Sequence, residues 1–127
     1  MIINRTDHFV LTVNDLEASI AFYEGVLGMR HVILPEGQHT LRFGNERIGL
    51  HEKTGVFLPE AQQPTPGSQD FCLIADGDIH EIEKEVEEKG VRIIEGVVPR
   101  DGALGVMDSI YMYDPDGNLV EIAVYRA

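Results

Sequence analysis

Hydrophobic and polar positions follow the same order twice along the chain of 127 residues. The segment DHFVLTV (7–13) alternates and is rich in β-forming residues, which predicts a strand. The next segment, NDLEASIAFYEGVLGMR (14–30), has apolar residues at helical spacing. Asn14 or Asp15 can cap this helix, and Gly28 is a stop signal. The chain is therefore predicted to begin its fold with a strand followed by a helix.

Three more strands complete the first copy, and the pattern then starts again. Strands are predicted for RHVIL, HTLRFG and RIGLHEK, and the segment TGVFLPEAQQPTPGSQ reads as a linker. The second copy has the strand DFCLIAD, the helix GDIHEIEKEVEEKG and the strands VRIIEGV, SIYMYD and LVEIAVY. We expect an α+β fold with two βαβββ modules that form a mixed curved sheet around a cleft. A single domain (1–127) would contain modules at 5–53 and 69–126, joined by the linker at 54–68.

The repeat places chemically similar residues at corresponding positions. His8 and Asp70 stand near the start of the two first strands. His51 and Glu121 stand in the two last strands and are farther apart along the chain than His8 and Asp70 are. The wider spacing predicts extra residues in the second copy, placed most naturally in an enlarged loop at VVPRDGALGVMDS.

Glu121 is the most informative of these four residues because it interrupts the apolar strand LVEIAVY. A buried charge without a partner is costly, and a bound cation would offset that cost. Two imidazoles and two carboxylates suit one divalent metal ion, such as Zn²⁺, Fe²⁺, Mn²⁺, Ni²⁺ or Co²⁺. Taken singly, each residue fits a surface or hydrogen-bonded position better, so the metal hypothesis depends on their corresponding places in the repeat.

Charge and cysteine content narrow the classes of partner. The formal net charge of -12 argues against nucleic acid and against anionic membranes, since both require a basic surface. Cys72 is the only cysteine, which is consistent with a reducing cytoplasm. A signal-peptide pattern and a membrane-spanning apolar run of roughly 18 residues are both lacking. We expect a soluble cytoplasmic protein that acts on a small molecule.

Three motifs carry a resemblance to a known family. H-x-x-L-x-V-x-D begins at His8, F-Y-x-x-V-L-G follows at Phe22, and D-P-D-G-N-x-x-E ends at Glu121. Together they resemble the vicinal oxygen chelate superfamily, which includes glyoxalase I, extradiol dioxygenases, fosfomycin-resistance proteins and bleomycin-binding proteins. Within it, the chain is most similar to small glyoxalase-domain proteins. The resemblance implies paired βαβββ modules around one divalent metal, and commonly a homodimer.

The resemblance also implies a ligand set. Metal ligands in this family come from the positions of His8, His51, Asp70 and Glu121. Glyoxalase I typically has a carboxylate where His51 stands and a histidine where Asp70 stands, so the two ligand types are exchanged here. The implied activity is that of a glyoxalase-type lyase or isomerase acting through a metal-stabilised enolate, with Glu121 as ligand and proton shuttle and Asp70 as ligand or base.

Two other functions remain open at this point. Without Asp70, the residues His8, His51 and Glu121 would form a two-histidine, one-carboxylate set, as in non-haem iron enzymes, which favours an extradiol-type dioxygenase. A protein that only binds a small molecule or antibiotic is the other alternative. Retention of all four candidate ligands argues against that last interpretation.

Weaker candidates for contacts with substrate are Arg42, Arg47, Arg100, Tyr111 and Tyr113. The two arginines in the first copy fit an anionic substrate or a solvated strand surface, and the tyrosines fit the cleft or ordinary packing. Arg100 is expected in the enlarged loop, which could cover the substrate. Cys72 is expected to be a packed thiol on the strand face opposite to Asp70.

Overall fold

The computed structural model describes residues 1–127 and divides them into two compact units, Met1–Gly67 and Ser68–Ala127. The elements of the first unit are β1 (His8–Thr12), α1 (Leu16–Ile20, continued as a π-helical segment at Ala21–Val26), β2 (Arg30–Ile33), β3 (His39–Phe43) and β4 (Glu46–His51). The elements of the second unit are β5 (Asp70–Ile74), α2 (Ile79–Glu88), β6 (Glu95–Gly102), β7 (Gly105–Tyr113) and β8 (Leu119–Tyr125).

Each unit contains one four-stranded sheet, and the two sheets have the same topology. The strand order is β1-β4-β3-β2 in the first unit and β5-β8-β7-β6 in the second. In each sheet the first strand is parallel to the last, and all other neighbours are antiparallel. The helix provides the crossover that a parallel pair requires. The predicted α+β fold with two βαβββ modules is confirmed.

The helices begin and end at the residues that the sequence indicates. Asp15 caps α1 by accepting a hydrogen bond of 3.1 Å from the backbone N–H of Ala18. Asp78 caps α2 by accepting from the backbone N–H groups of the first turn. Gly28 and Gly90, just beyond the helical segments, have φ values of 74° and 84°, which only glycine adopts without strain. Neither helix combines the length and the apolar character needed to cross a bilayer.

One face of each sheet is apolar. In the first unit, Leu11, Leu41 and Ile48 are fully buried on one face, where Leu41 pairs with Ile48 and Leu11 pairs with Leu50. In the second unit, the corresponding cluster is Ile110, Val120 and Met112. Burial of one such side chain stabilises the fold by about 1.5–3 kcal/mol. Because side chains alternate along a strand, the residues between them lie on the opposite faces, where the polar side chains gather.

The prediction of an enlarged loop at VVPRDGALGVMDS is wrong. Its residues form most of a long hairpin, in which Arg100 pairs with Met107 and Gly102 pairs with Gly105 across β6 and β7. Pro99 lies in the edge strand β6, where a strand tolerates a missing N–H group. The extra residues of the second copy therefore extend two strands, and Arg100 occupies a fixed position in the ladder.

Candidate functional site

The register of the parallel strand pairs determines which residues of the two units correspond. In the first unit, His8 pairs with Arg47 across β1 and β4. In the second unit, Asp70 pairs with Leu119 across β5 and β8. His8 and Asp70 begin the two first strands, as the sequence indicates, so their strand partners Arg47 and Leu119 correspond as well. This alignment of the last strands differs from the one inferred from the sequence.

The ladder makes Gly49 the counterpart of Glu121 and corrects the matching of His51 with Glu121. Two residues beyond Arg47 and Leu119, the chain has Gly49 in one unit and Glu121 in the other. His51 instead pairs with Thr12, four residues farther along β4 than the partner of His8. At about 3.3 Å per residue, the backbones of His8 and His51 are roughly 13 Å apart along the strand direction. The two imidazoles are not neighbours in the ladder.

His8 is an accessible imidazole with an orienting partner. Its Nδ1 lies 2.7 Å from Asp7 Oδ2, and its side chain is 45% exposed. The hydrogen bond to His8 lowers the pKa of the Asp7 carboxyl below its ordinary value. A carboxylate at Nδ1 fixes the ring orientation and leaves Nε2 as the nitrogen for a cation, the arrangement common among metal-binding histidines.

His51 is buried and already hydrogen-bonded within its own unit. Its Nε2 lies 3.1 Å from the side-chain Nε2 of Gln38, and its ring packs against Phe57 at 5.3 Å between centroids. Gly49 leaves room for this arrangement, because a Cβ there would lie 2.7 Å from the same Gln38 nitrogen. The contact with Gln38 occupies Nε2, so Nδ1 is the ring nitrogen of His51 left for a metal unless the bond to Gln38 breaks.

Glu121 lies in a row of polar side chains that runs across the second sheet. Its strand neighbours on the same face are Cys72 on β5 and Tyr111 on β7. The carboxylate oxygen Oε2 is buried and accepts no hydrogen bond of regular geometry, although the Cys72 thiol and the Tyr111 hydroxyl both interact with the Glu121 carboxylate. A buried carboxylate oxygen without a regular hydrogen bond is rare and costly, so this atom marks a place where a cation would be stabilised.

Cys72 shares the face of Glu121 and Asp70, so its predicted placement on the opposite face is wrong. Residues two apart on a strand point to the same side, and Cys72 pairs directly with Glu121. Desolvation, and secondly the neighbouring Glu121 carboxylate, raise the pKa of the Cys72 thiol to about 11. The group is therefore a neutral thiol at neutral pH and a weak nucleophile.

Tyr111 of this row is hydrogen-bonded to Arg100, which pairs with Met107 farther along β6 and β7. Arg100 Nε donates to Tyr111 Oη at 2.9 Å, and Arg100 Nη2 donates to Glu95 Oε1 at 3.0 Å. The guanidinium also lies 5.4 Å from the centre of the Tyr111 ring. Desolvation raises the pKa of the Tyr111 hydroxyl, and the bond from Arg100 opposes this effect. Tyr113, two residues along on the same face, is 54% exposed.

Asp70 is the least constrained of the predicted ligands. It is the first residue of β5, is exposed, and pairs with Leu119, two residues before Glu121 on β8. Within neither unit do three or more His, Cys, Asp or Glu side chains converge to hold a metal ion. The predicted set takes His8 and His51 from one unit and Asp70 and Glu121 from the other. The four-ligand site stays a prediction.

Comparison with known proteins agrees with the repeated fold. The profile of the Glyoxalase/Bleomycin resistance protein/Dioxygenase superfamily matches residues 5–122. The virulence protein STM3117 of Salmonella typhimurium is 47% identical over 98% of this chain and 87% of its own length. Its crystal structure gives a TM-score of 0.96, covering 99% of this chain and 100% of that one.

Two further relatives carry names that describe a domain or a reaction. The glyoxalase domain-containing protein RDO1 of Mycosarcoma maydis is 41% identical over 98% of this chain and 70% of its own length. Biphenyl-2,3-diol 1,2-dioxygenase 3 of Rhodococcus globerulus is 35% identical over 94% of this chain and 63% of its own length. Other similar proteins are named as a metallothiol transferase, a catechol-2,3-dioxygenase and an antibiotic binding protein. The chain therefore belongs to the Glyoxalase/Bleomycin resistance protein/Dioxygenase superfamily, also known as the vicinal oxygen chelate superfamily.

Proposed function

We propose that this protein is a metal-dependent enzyme of the glyoxalase type, a lyase or isomerase acting on a small substrate with two neighbouring oxygen atoms. The observation that carries the proposal is Glu121, whose Oε2 is buried without a regular hydrogen bond in an otherwise apolar strand. A buried carboxylate oxygen that accepts no good hydrogen bond is costly. One divalent cation, Zn²⁺, Ni²⁺, Co²⁺, Mn²⁺ or Fe²⁺, would offset that cost.

The four candidate ligands are not equally prepared to bind such an ion. His8, with Asp7 at its other ring nitrogen, and Glu121, with its buried Oε2, are the principal ligands of the proposal. Asp70 is an additional ligand or a base, because its exposed carboxylate has no neighbour that holds it in place. His51 would bind through Nδ1, or through Nε2 after it leaves Gln38. The bound ion would supply Lewis acidity toward the substrate oxygens.

The residues around Glu121 suit the transfer of a proton. In the proposal, Glu121 accepts a proton from a carbon that bears a hydroxyl group and returns it to the neighbouring carbonyl carbon, while the hydroxyl proton passes to the oxygen of that carbonyl group, which balances an isomerisation. Tyr111 borders Glu121 and is held by Arg100 and Glu95, so its hydroxyl stays in place beside the carboxylate. The neutral Cys72 thiol on the other side leaves the negative charge of Glu121 uncompensated.

Elemental analysis of the purified full chain tests the proposal. Wild type should contain about one divalent metal ion per site, and His8→Ala and Glu121→Gln should lose it. Asp70→Asn and His51→Ala show whether Asp70 and His51 are also ligands. Retention of metal by His51→Ala would agree with the bond between His51 and Gln38. Glu87→Gln, on the solvated face of α2, is the matched control. Unchanged metal content in both His8→Ala and Glu121→Gln would remove the proposal.

A second candidate is an extradiol-type dioxygenase that uses non-haem iron. The relative from Rhodococcus globerulus, named for a reaction on biphenyl-2,3-diol, favours it. The two candidates differ in their need for oxygen: a dioxygenase consumes O₂ with Fe²⁺ and a catechol, and a glyoxalase-type enzyme does not. An oxygen electrode with iron-loaded protein and 2,3-dihydroxybiphenyl separates them. We also infer a homodimer, which light scattering after size-exclusion chromatography would check.

A further inference from the structure

Three arginines lie in one row across the first sheet. Arg30 on β2 pairs with Arg42 on β3, and Arg42 pairs with Arg47 on β4. His8 on β1 completes the row, since it pairs with Arg47. Paired residues of neighbouring strands point to the same face, so four groups that carry or can carry positive charge share one face at one level of the sheet.

These three arginines have no acidic partner, although the chain contains 22 Asp and Glu residues. Of the other seven Lys and Arg residues, Lys53 and Arg92 have no ion pair, and the remaining five each have a carboxylate within 4.0 Å: Arg5, Lys84, Lys89, Arg100 and Arg126. No ion pair exists for Arg30, Arg42 or Arg47, and Nε of Arg47 is buried without a hydrogen-bond partner. Like charges directly opposite each other on neighbouring strands are destabilising. In a chain so rich in acidic residues, this arrangement calls for an external anion.

Open space lies beside the row. A cavity of about 390 Å³ is lined by Arg30, Arg42 and the turn between β3 and β4. Glu46 is the one carboxylate in its lining, but it pairs with Phe43 and so belongs to the opposite face of β4 from Arg47. The cavity thus gives a small ligand access to Arg30 and Arg42, and Arg47 lies next to Arg42 on the same face of the sheet, outside the cavity lining.

We propose that Arg30, Arg42 and Arg47 form an oxyanion-binding site for a carboxylate or phosphate group of the substrate. Neighbouring strands are about 4.8 Å apart, so the first and last arginine stand roughly 10 Å apart and their long side chains can meet on one group. A guanidinium binds two oxygens of a carboxylate or phosphate at once. The proposal deepens the function proposed above by giving its substrate an anionic group.

The position of His8 connects this site with the proposed metal. Arg47 is the strand neighbour of His8, so a positive guanidinium lies beside a proposed metal ligand. A bare cation at His8 is disfavoured by that charge, whereas a cation accompanied by an oxyanion is not. A single oxyanion also suits the chain better than a polyanion does, because the net charge of -12 repels an extended row of phosphates.

Titration of chelator-treated full-length protein tests the site without metal, so its outcome is independent of the metal proposal. The probes are inorganic phosphate and malonate, followed by calorimetry and by the arginine side-chain Nε–H signals in NMR. We expect saturable binding of one anion per site. Arg42→Gln and Arg47→Gln should each weaken it by roughly tenfold or more, the value of one hydrogen bond to a charged group.

Arg92→Gln is the matched control, since Arg92 is exposed, lies in the other unit and undergoes the same loss of charge. It should change the affinity less than twofold or so, as expected of a distant, screened charge. Tighter binding of phosphate supports a phosphorylated substrate, and tighter binding of malonate supports a carboxylated one. Absence of saturable binding for both probes would overturn the proposal, and so would equal weakening in Arg42→Gln and Arg92→Gln.

Discussion

The two units share a fold but differ in the chemistry of their polar sheet faces. In the second unit, the level of Glu121 carries a carboxylate between Cys72 and Tyr111. The corresponding positions of the first unit are occupied by Val10, Gly49 and Thr40. The charged row of this unit, His8 and the three arginines, lies two residues away along the strands. The two units therefore share a topology but carry different residues at corresponding positions of their polar faces.

The two faces also differ in how their charges are balanced. Arg100 of the second unit is bonded to Glu95 and Tyr111, so its charge is satisfied internally. Arg30, Arg42 and Arg47 of the first unit have no ion-pair partner, and Glu121 has one buried oxygen without a good hydrogen bond. One sheet face therefore carries a row of unpaired positive charges, and the other carries an unbalanced carboxylate. We interpret both as binding groups, for an oxyanion and a cation.

The largest expected loss of stability should be similar in the two units, because each unit buries one apolar face of its sheet. Leu41→Ala and Ile110→Ala each remove a fully buried side chain, one from each unit. Each should lower the free energy of unfolding by about 2–5 kcal/mol through lost burial and a residual cavity. Urea denaturation followed by circular dichroism measures it. A cost below about 1 kcal/mol in either variant would show that its unit is not held by the apolar face as described.

A smaller loss of stability is expected from a substitution at Gly49, whose counterpart in the second unit is Glu121. Gly49→Ala places a Cβ 2.7 Å from Gln38 Nε2 and should cost about 1–3 kcal/mol of stability. Gly25→Ala is the control, since a Cβ there meets nothing within 4 Å. Most of the cost should disappear in the Gly49→Ala, Gln38→Ala double variant, if Gln38 is the obstacle. Equal costs with and without Gln38 would assign the loss to another contact.

The arginine row should cost stability when no anion is bound. Arg42→Gln separates two like charges and should raise the free energy of unfolding by about 0.2–1 kcal/mol in chloride buffer of low ionic strength. Addition of phosphate should then stabilise wild type more than the variant, since only wild type retains the full row. Thermal unfolding with and without phosphate measures both effects. A variant that is less stable than wild type in the absence of anion would contradict the repulsion.

The smallest effect concerns Cys72 beside Glu121. The pKa of the thiol is raised to about 11, so alkylation by iodoacetamide should be slow at neutral pH and should accelerate as the pH approaches that value. Glu121→Gln removes a neighbouring negative charge, which stabilises the thiolate and lowers its pKa. The pH–rate profile should therefore move to lower pH in the variant. An unmoved profile would show that burial alone controls the thiol.

Much of this architecture could be predicted from the sequence, because its signals are local. Asp15 and Asp78 cap the helices, Gly28 and Gly90 follow them, and period-two alternation marks the strands. Pro99 and the nearby glycines suggested a loop where the structure has a hairpin. Pairing with β7 outweighed the low strand propensity of those residues, a non-local effect that propensity does not register.

The register of the polar faces could not be predicted from alternation. A shift of two residues leaves every side chain on the same face, so Gly49 and His51 fit the alternating pattern equally well as counterparts of Glu121. Only the ladder decides, through the pairing of His8 with Arg47. The same limit hid the arginine row, since Arg30, Arg42 and Arg47 become neighbours only through strand pairing.

Calorimetric titration of chelator-treated protein with Co²⁺ tests the central claim that the buried oxygen of Glu121 receives a cation. Wild type and the helix-surface control Glu87→Gln should bind about one ion per site with equal affinity. Glu121→Gln should bind Co²⁺ at least roughly 10–100-fold more weakly. Loss of a residue that only supports a metal ligand has an effect of this size, and loss of a ligand should have a larger one. Equal binding by wild type and Glu121→Gln, or no binding by either, would contradict the claim.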